Sequence, residues 1–124
     1  MQNKNNKKIL VVDDKPENLH VLINILKDSY AVIVATNGEK ALELAKRDPH
    51  PDIILLDIIM PGLGGYEVCK QLKKDHTTVD IPVIFVTSKT KEEDEEVGIK
   101  LGAVDYIRKP VRPEEVMKSI REHI

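Results

Sequence analysis

The sequence predicts an α/β domain built on a doubly wound parallel sheet. Five short strand-like runs alternate with five helix-like segments, the connections are short, and several of the runs are almost entirely apolar. Alternation of this kind is typical of a parallel sheet with helices on both faces. Strands that are buried on both faces are nearly continuous in hydrophobic residues. A chain of 124 residues suits one such domain.

The chain up to Arg47 supplies two predicted strands and two helices. The strands cover residues 8–12 and 30–35, and the second is rich in β-branched residues. Pro16 opens the first helix, because proline is favoured in a first turn. Asn37 or Thr36 can cap the second helix. Helical spacing predicts that these helices bury Leu19, Leu22, Ile23, Leu26, Ala41, Leu42, Leu44 and Ala45.

Three further strand–helix units follow the loop at residues 48–51. The strands cover residues 52–56, 81–86 and 104–107. The helices cover residues 66–75, 91–101 and 113–124. Thr90 can cap the middle helix, whose acidic first turn suits the positive end of the helix dipole. The apolar sides of the other two contain Val68, Cys69, Leu72, Val116, Ile120 and Ile124.

These five units predict a flavodoxin-like (βα)5 topology. Right-handed crossovers and a doubly wound sheet favour the strand order 2-1-3-4-5. This order places the ends of the first and third strands side by side. Ligands of open α/β sheets bind at the carboxyl ends of the strands, where the strand order reverses.

Polar side chains follow four of the predicted strands at that edge. Asp13 and Asp14 follow the first strand, Asp57 follows the third, Thr87 follows the fourth and Lys109 follows the fifth. Two unit charges ~4 Å apart interact by roughly 4 kcal/mol at an effective dielectric of 20. Three carboxylates therefore require positive charge beyond one lysine, and Mg²⁺ suits carboxylate oxygens. The sequence predicts a divalent cation site here.

Each of these residues also has a simpler interpretation. Asp13 and Asp14 could cap the first helix, since aspartate is favoured there. Asp57 could be a turn residue, and Lys109 a solvated surface lysine. Tyr106 could be a half-buried packing residue of the fifth strand. We favour a functional site because these residues occur together, in register with the strands.

Four ordered motifs resemble the receiver domain of two-component response regulators. The resemblance extends from Ile9 to the last helix. The motifs are Val11-Val12-Asp13-Asp14, Leu55-Leu56-Asp57 followed by Met60-Pro61 and Gly65, Val86-Thr87-Ser88, and Gly102-Ala103 followed by Asp105-Tyr106 and Lys109-Pro110.

The resemblance implies a role for each residue at the sheet edge. Asp57 would accept a phosphoryl group from a phosphohistidine. Asp13, Asp14 and Asp57, with the backbone carbonyl of Ile59, would bind Mg²⁺ or Mn²⁺. Thr87 and Lys109 would contact the phosphoryl group, and Tyr106 would move inward together with Thr87.

The resemblance also implies a phosphorylation-dependent switch in the cytoplasm rather than a metabolic enzyme. Its partners would be a sensor histidine kinase or phosphotransfer protein, and an output domain or partner protein. The last two helices and the fifth strand would form the surface for output or homodimerisation. The chain ends within its last predicted helix, so we expect no output domain in it.

Two positions would tune the loss of the phosphoryl group in such a domain. They are Ile59, two residues after Asp57, and Lys89, two residues after Thr87. The Ile59 side chain cannot hydrogen-bond an attacking water. We therefore expect slower dephosphorylation than in an Ile59→Asn variant.

Composition argues against several classes of function. The net charge of −2 does not favour direct binding to nucleic acid. No apolar run approaches the ~20 residues of a membrane helix. Residues 1–6 are polar, lack the apolar core of a secretory signal and are expected to form a flexible tail preceding a domain over 7–124. One cysteine fits a reducing cytosol.

The remaining candidate residues are expected to be structural. Cys69 lies on the apolar side of its helix, so we expect it in the core. The four histidines show no metal-ligand spacing and are expected in loops or at the surface. They are His20, His50, His76 and His123.

Three rival functions share parts of the pattern. A haloacid dehalogenase-like phosphohydrolase would need an acid at Ile59 and a cap domain. A flavin-binding domain of this topology would need glycine or hydroxyl residues where Asp13-Asp14-Lys15-Pro16 stands. A receiver-like module that binds partners without phosphorylation would not require the complete set of site residues.

Overall fold

The computed structural model describes residues 7–88 and 92–124, and they form the predicted doubly wound α/β fold. Five parallel strands are arranged in the order β2-β1-β3-β4-β5, which confirms the predicted topology. The strands are β1 (Lys8–Val12), β2 (Ala31–Ala35), β3 (Ile53–Leu56), β4 (Val83–Thr87) and β5 (Asp105–Arg108). The helices are α1 (Pro16–Leu26), α2 (Gly38–Lys46), α3 (Gly65–Lys74), α4 (Glu92–Lys100) and α5 (Pro113–His123).

The sheet separates two hydrophobic layers. Alternate residues of each strand point to opposite faces, so Leu10 and Ile54 pack with α2 and α3. Their neighbours Ile9 and Ile53 pack with α1 and α5. All four side chains are completely buried. This two-sided burial explains the continuous apolar runs in the sequence and fixes the strand ends relative to one another.

The predicted bounds of β1 are confirmed, and those of the other four strands differ by one or two residues. β3 begins at Ile53 rather than residue 52. β4 begins at Val83 rather than residue 81, because Pro82 has no N–H to give to the ladder, and it extends to Thr87. β5 begins and ends one residue later than predicted. Tyr30 is buried but lies just before β2.

Helix ends and helix faces agree with the sequence in most places. Asn37 is the N-cap of α2, and its side chain accepts a hydrogen bond of 2.7 Å from the backbone N–H of Lys40. The predicted buried residues are buried, except that Ile23 and Leu42 are partly buried and Ile124 is exposed at the end of the chain. The tail at residues 1–6, Lys89 and the Thr90 cap lie outside the described residues. Within the described part, none of the helices is long and apolar enough to cross a membrane.

Candidate functional site

The polar residues predicted at the sheet edge meet at the carboxyl ends of β1, β3, β4 and β5. Backbone hydrogen bonds continue past the strands and hold these ends together. The N–H of Asp57 donates to the carbonyl of Val12 at 3.0 Å, and the N–H of Lys109 donates to the carbonyl of Thr87 at 2.9 Å. The sheet backbone therefore positions Asp57 beside the end of β1, and Lys109 beside the end of β4.

Three carboxylates form a compact acidic pocket at this edge. One oxygen from each of Asp13, Asp14 and Asp57 lies within 4.8 Å of the others. Asp13 and Asp57 are almost completely buried, with exposed fractions of 1% and 5%. Water screens their charges poorly, so their mutual repulsion is stronger than it would be at the surface.

Lys109 offsets part of this negative charge. Its ammonium lies 2.8 Å from Oδ2 of Asp13 and 3.6 Å from Oδ2 of Asp57. Burial is nevertheless the largest influence on Asp57 and raises the pKa of its carboxyl. The charges of Asp13 and Asp14 raise this pKa further, while Lys109 and the N–H of Ile59 lower it. The pocket therefore favours an added cation.

Hydrogen bonding within the pocket leaves room for that cation beside Asp14. Asp13 Oδ1 accepts from the N–H of Lys15 at 3.0 Å and from the amide of Asn18 at 3.4 Å. Oδ1 of Asp14 is buried, and none of the described residues donates to it. A buried carboxylate oxygen without a partner is costly, and a metal ion would remove that cost. The all-oxygen donor set fits Mg²⁺ or Mn²⁺.

These contacts decide against a simple helix cap for the two N-terminal aspartates. The N-cap of α1 is Lys15, and it makes no side-chain capping bond. Asp13 instead directs one oxygen at the Lys15 backbone and the other at Lys109. Asn18 is a contact of the pocket that the sequence did not suggest, because asparagine in a first helical turn has many ordinary roles.

The turn after β3 is fixed by a close approach of two backbones. A Cβ atom on Gly65 would lie 2.2 Å from the carbonyl oxygen of Asp57 and 2.7 Å from Cα of Ile58. The N–H of Gly65 donates to the carbonyl of Ile58 at 2.9 Å. Only glycine fits this position, so the glycine of the Asp57 motif serves to seat α3 against the end of β3.

Thr87 and Tyr106 occupy neighbouring strands next to the pocket. Thr87 is completely buried at the end of β4. Tyr106 is half-buried and lies opposite Phe85 in the sheet, with their rings edge to face at 6.4 Å. The guanidinium of Arg108 lies 5.9 Å from the centre of the tyrosine ring. Ile59, whose exposed fraction is 53%, lies just beyond the phosphoacceptor candidate Asp57.

Cys69 and three of the four histidines lie where they were expected from the sequence, and His123 does not. Cys69 is completely buried, and burial raises the pKa of its thiol to about 11. His20 and His76 are exposed, and His50 lies in the loop after α2. His123 is half-buried in α5 beside Asp105, a proximity that spacing along the chain did not suggest.

The fold and the site define a class of protein. The chain combines a doubly wound sheet with a buried acidic pocket, a lysine and a buried threonine at the carboxyl edge of that sheet. The family model of the response regulator receiver domain matches residues 9–121, so the chain belongs to that family. It is a receiver domain of two-component response regulators, a phosphoacceptor switch.

Individual relatives agree with this assignment. Protein PilH of Pseudomonas aeruginosa is 44% identical over 114 residues, which cover 91% of this chain and 93% of PilH. A probable cyclic di-GMP phosphodiesterase of Vibrio cholerae is 43% identical over 116 residues. That match covers 94% of this chain and 26% of the phosphodiesterase, so the chain spans about a quarter of that relative.

A solved structure supports the fold and contains a metal ion of its own. It is the receiver domain of the sensor histidine kinase PA1611 from Pseudomonas aeruginosa, with a magnesium ion coordinated in the active-site cleft. The TM-score is 0.87 at 28% sequence identity, and the match covers 96% of this chain and 98% of that one. That receiver domain binds magnesium in its active-site cleft, and this chain has an acidic cluster formed by Asp13, Asp14 and Asp57.

Proposed function

We propose that Asp57 accepts a phosphoryl group from the phosphohistidine of a sensor histidine kinase or phosphotransfer protein. The observation that supports this most directly is a buried carboxylate beside a lysine in a pocket short of positive charge. A carboxylate oxygen of Asp57 would attack phosphorus, and the bond from phosphorus to the imidazole nitrogen would break. The electron pair of that bond stays with the imidazole, and an acyl phosphate forms on Asp57.

The pocket residues would hold the divalent cation that this reaction uses. The proposed ligands are Asp13, Asp14 and Asp57 with the backbone carbonyl of Ile59, and the unpartnered oxygen of Asp14 supports this set. When bound, Mg²⁺ or Mn²⁺ would neutralise charge on the transferring phosphoryl oxygens. Asn18 and Lys15 fix the orientation of Asp13 independently of the metal.

Lys109 and Thr87 would respond to the phosphoryl group. Lys109 contacts two carboxylates, and a phosphorylated Asp57 would offer its ammonium a more highly charged partner. The hydroxyl of Thr87 would hydrogen-bond a phosphoryl oxygen from the end of β4. Tyr106 packs on Phe85, two residues before Thr87 in the same strand, so a shift of Thr87 would change the packing around its ring.

The resulting change would reach an output domain or partner protein, or a second copy of the chain. The surface we propose is formed by α4, β5 and α5. Exposed apolar side chains on and beside α4 support it, namely Val97, Ile99 and Val104. We further propose that the domain works in the cytoplasm and is not a metabolic enzyme, but participates in its own phosphorylation and dephosphorylation.

The test is phosphorylation of the chain by a small acyl-phosphate donor with Mg²⁺, followed by intact mass spectrometry. Wild type should gain one phosphoryl group that hydroxylamine removes, since hydroxylamine cleaves acyl phosphates. Asp57→Asn should gain none. Asp75→Asn is the matched control, because Asp75 lies away from the pocket in the α3–β4 connection. Equal labelling of the Asp57→Asn variant would exclude the proposed acceptor.

Two rival functions would give different results in the same experiment. A receiver-like module that does not use phosphorylation would remain unlabelled with every donor. A phosphohydrolase would consume the donor continuously without accumulating phosphoprotein. The second is disfavoured because Ile59 stands where that class needs an acid.

A further inference from the structure

A second group of metal-ligating side chains lies at the opposite edge of the sheet. Asp105 begins β5, whereas Glu122 and His123 belong to the last turn of α5. One ligand atom from each lies within 4.8 Å of the other two. Because the strands are parallel, the amino end of β5 is remote from the carboxyl edge that carries Asp57. The two groups are therefore independent sites.

The carboxylate of Asp105 is held in place before any ligand arrives. Ser119, which is buried, donates its hydroxyl to Oδ2 of Asp105 at 2.5 Å. The backbone N–H of Tyr106 donates to Oδ1 at 2.8 Å. Hydrogen bonds of this kind orient metal-ligating carboxylates in proteins, and their loss weakens metal binding.

The position of His123 fits a shared ion better than a direct hydrogen bond. Its Nε2 lies 3.6 Å from Oδ2 of Asp105, beyond hydrogen-bond distance. Ligands ~2.0–2.2 Å from a tetrahedral zinc ion stand roughly 3.3–3.6 Å apart. Glu122 is exposed at the end of the helix, so its side chain can move to bring its carboxylate within bonding distance of an ion held by Asp105 and His123.

The space next to these ligands can take the rest of a coordination shell. A cavity of about 180 Å³ adjoins Asp105, Ser119 and Glu122. Glu115 and Lys118 also line it, and their opposite charges offset each other. Water or a side chain of another molecule could therefore supply a fourth ligand.

We propose that Asp105, Glu122 and His123 bind a divalent transition metal, with Zn²⁺ as its representative. The imidazole nitrogen sets this site apart from the acidic pocket, because nitrogen ligands favour zinc and its neighbours over magnesium. The bound ion joins the amino end of β5 to the last turn of α5. It thereby fixes the end of the helix against the sheet.

The experiment is isothermal titration of the intact chain with Zn²⁺ in the presence of saturating Mg²⁺, which occupies the acidic pocket. Wild type should bind one Zn²⁺ per chain. His123→Gln and Asp105→Asn should each weaken binding by more than about tenfold, and Ser119→Ala should weaken it by about tenfold or more. The nitrogen signals of His123 should shift with Zn²⁺ and remain unchanged with Mg²⁺.

His76→Gln is the matched control. Nδ1 of His76 also lies near an aspartate, 4.0 Å from Oδ1 of Asp75, but among the described residues no third ligand joins this pair. This variant should bind Zn²⁺ as wild type does. Acyl-phosphate labelling shows that each variant is folded, because none of the changed residues lies in the pocket.

Three results would overturn the proposal. One is equal Zn²⁺ affinity in wild type and His123→Gln. Another is absence of any one-to-one binding by wild type. The last is loss of Zn²⁺ binding on Asp14→Asn substitution, which would place the ion in the acidic pocket instead.

Discussion

Two acidic clusters lie at opposite edges of one sheet, one around Asp57 and one around Asp105. They differ in burial, and this difference should determine how each responds to charge and to metal ions. Asp13 and Asp57 are buried and both contact Lys109, and Asp14 beside them is partly buried. Asp105, Glu122 and His123 are half-buried or exposed and include an imidazole, and Ser119 orients the carboxylate of Asp105. Ionised carboxylates in the first cluster destabilise the fold because they are buried together. A bound cation or a phosphoryl group should therefore change the stability of the domain strongly. In the second cluster water already screens much of the charge, and ligand type decides what binds.

The largest effect is expected where the backbone of the first cluster is altered. Gly65→Ala should lower the free energy of unfolding by about 3 kcal/mol or more, because its Cβ would overlap the carbonyl of Asp57. Urea denaturation measures the change. The second cluster does not involve this turn, so Zn²⁺ binding should persist in whatever fraction of the variant is folded.

Gly64→Ala is the matched control at the neighbouring position. Its Cβ would lie 3.3 Å from the carbonyl oxygen of Ile58, and its backbone is in an ordinary extended conformation. The cost should be about 1 kcal/mol or less. Equal stability of the two variants would show that the turn after β3 is not constrained by the approach of α3.

The next largest difference between the two clusters is expected when the lysine beside each of them is replaced. Lys109→Met leaves Asp13 and Asp57 without their ammonium partner and should cost about 2–3 kcal/mol, somewhat less than for a fully buried pair. Lys118→Met, beside the second cluster, removes an exposed lysine and should change stability by less than about 0.5 kcal/mol.

Mg²⁺ provides an internal check on the Lys109 result. The ion supplies positive charge to the same carboxylates, so it should raise the melting temperature of Lys109→Met more than that of wild type. Thermal unfolding with Mg²⁺ and with a chelator makes the comparison. An equal rise in both proteins would mean that Lys109 stabilises the fold through packing rather than charge.

The difference between the clusters also explains what sequence could predict. The apolar runs indicated the strands, and right-handed crossovers in a doubly wound sheet favoured their order. The aspartates, the threonine and the lysine at the predicted strand ends could then be placed at one edge. That logic needs only the strand ends. It failed for Asp105, Glu122 and His123, because their proximity depends on how α5 returns across β5 and on the length of that helix.

The accuracy of the predicted strand and helix boundaries was limited by similar causes. Thr87 lies within β4 although polarity suggested that the strand ends before it, because the β4–β5 hydrogen bonds continue to Arg108. The contact of Asn18 with Asp13 depends on where α1 begins relative to β1. Such details follow from three-dimensional packing and leave no periodic signal in the sequence.

The same type of substitution, aspartate to asparagine, should stabilise the domain in the first cluster and destabilise it in the second. Asp57→Asn removes a buried charge and should stabilise the metal-free domain by about 1–2 kcal/mol. Asp105→Asn weakens the bond from the buried hydroxyl of Ser119 and should destabilise it by about 1 kcal/mol. Thermal unfolding with a chelator present measures both, at about 3–6 °C per kcal/mol.

The effect of Asp57→Asn should depend on pH with a defined sign. Burial raises the pKa of Asp57 in the folded state, so the folded protein binds this proton more readily than the unfolded chain. Ionised Asp57 then destabilises the fold fully above the raised pKa. The penalty is relieved as pH falls through that pKa toward the ordinary value. The advantage of the variant should therefore shrink in acid, and an advantage that grew there would contradict a raised pKa.

The smallest effect concerns access of water to the first cluster. Ile59 is exposed close to Asp57, and its side chain cannot hydrogen-bond a water molecule. Ile59→Asn adds an amide that can orient water toward the acyl phosphate, so dephosphorylation should become a few-fold faster, a barrier change below about 1.4 kcal/mol. Decay of the phosphorylated proteins by intact mass spectrometry gives both rates.

Ile59→Val is the control, since it shortens the side chain without adding a polar group and should decay at nearly the wild-type rate. Equal decay of the asparagine and valine variants would mean that water reaches the acyl phosphate without help from this position.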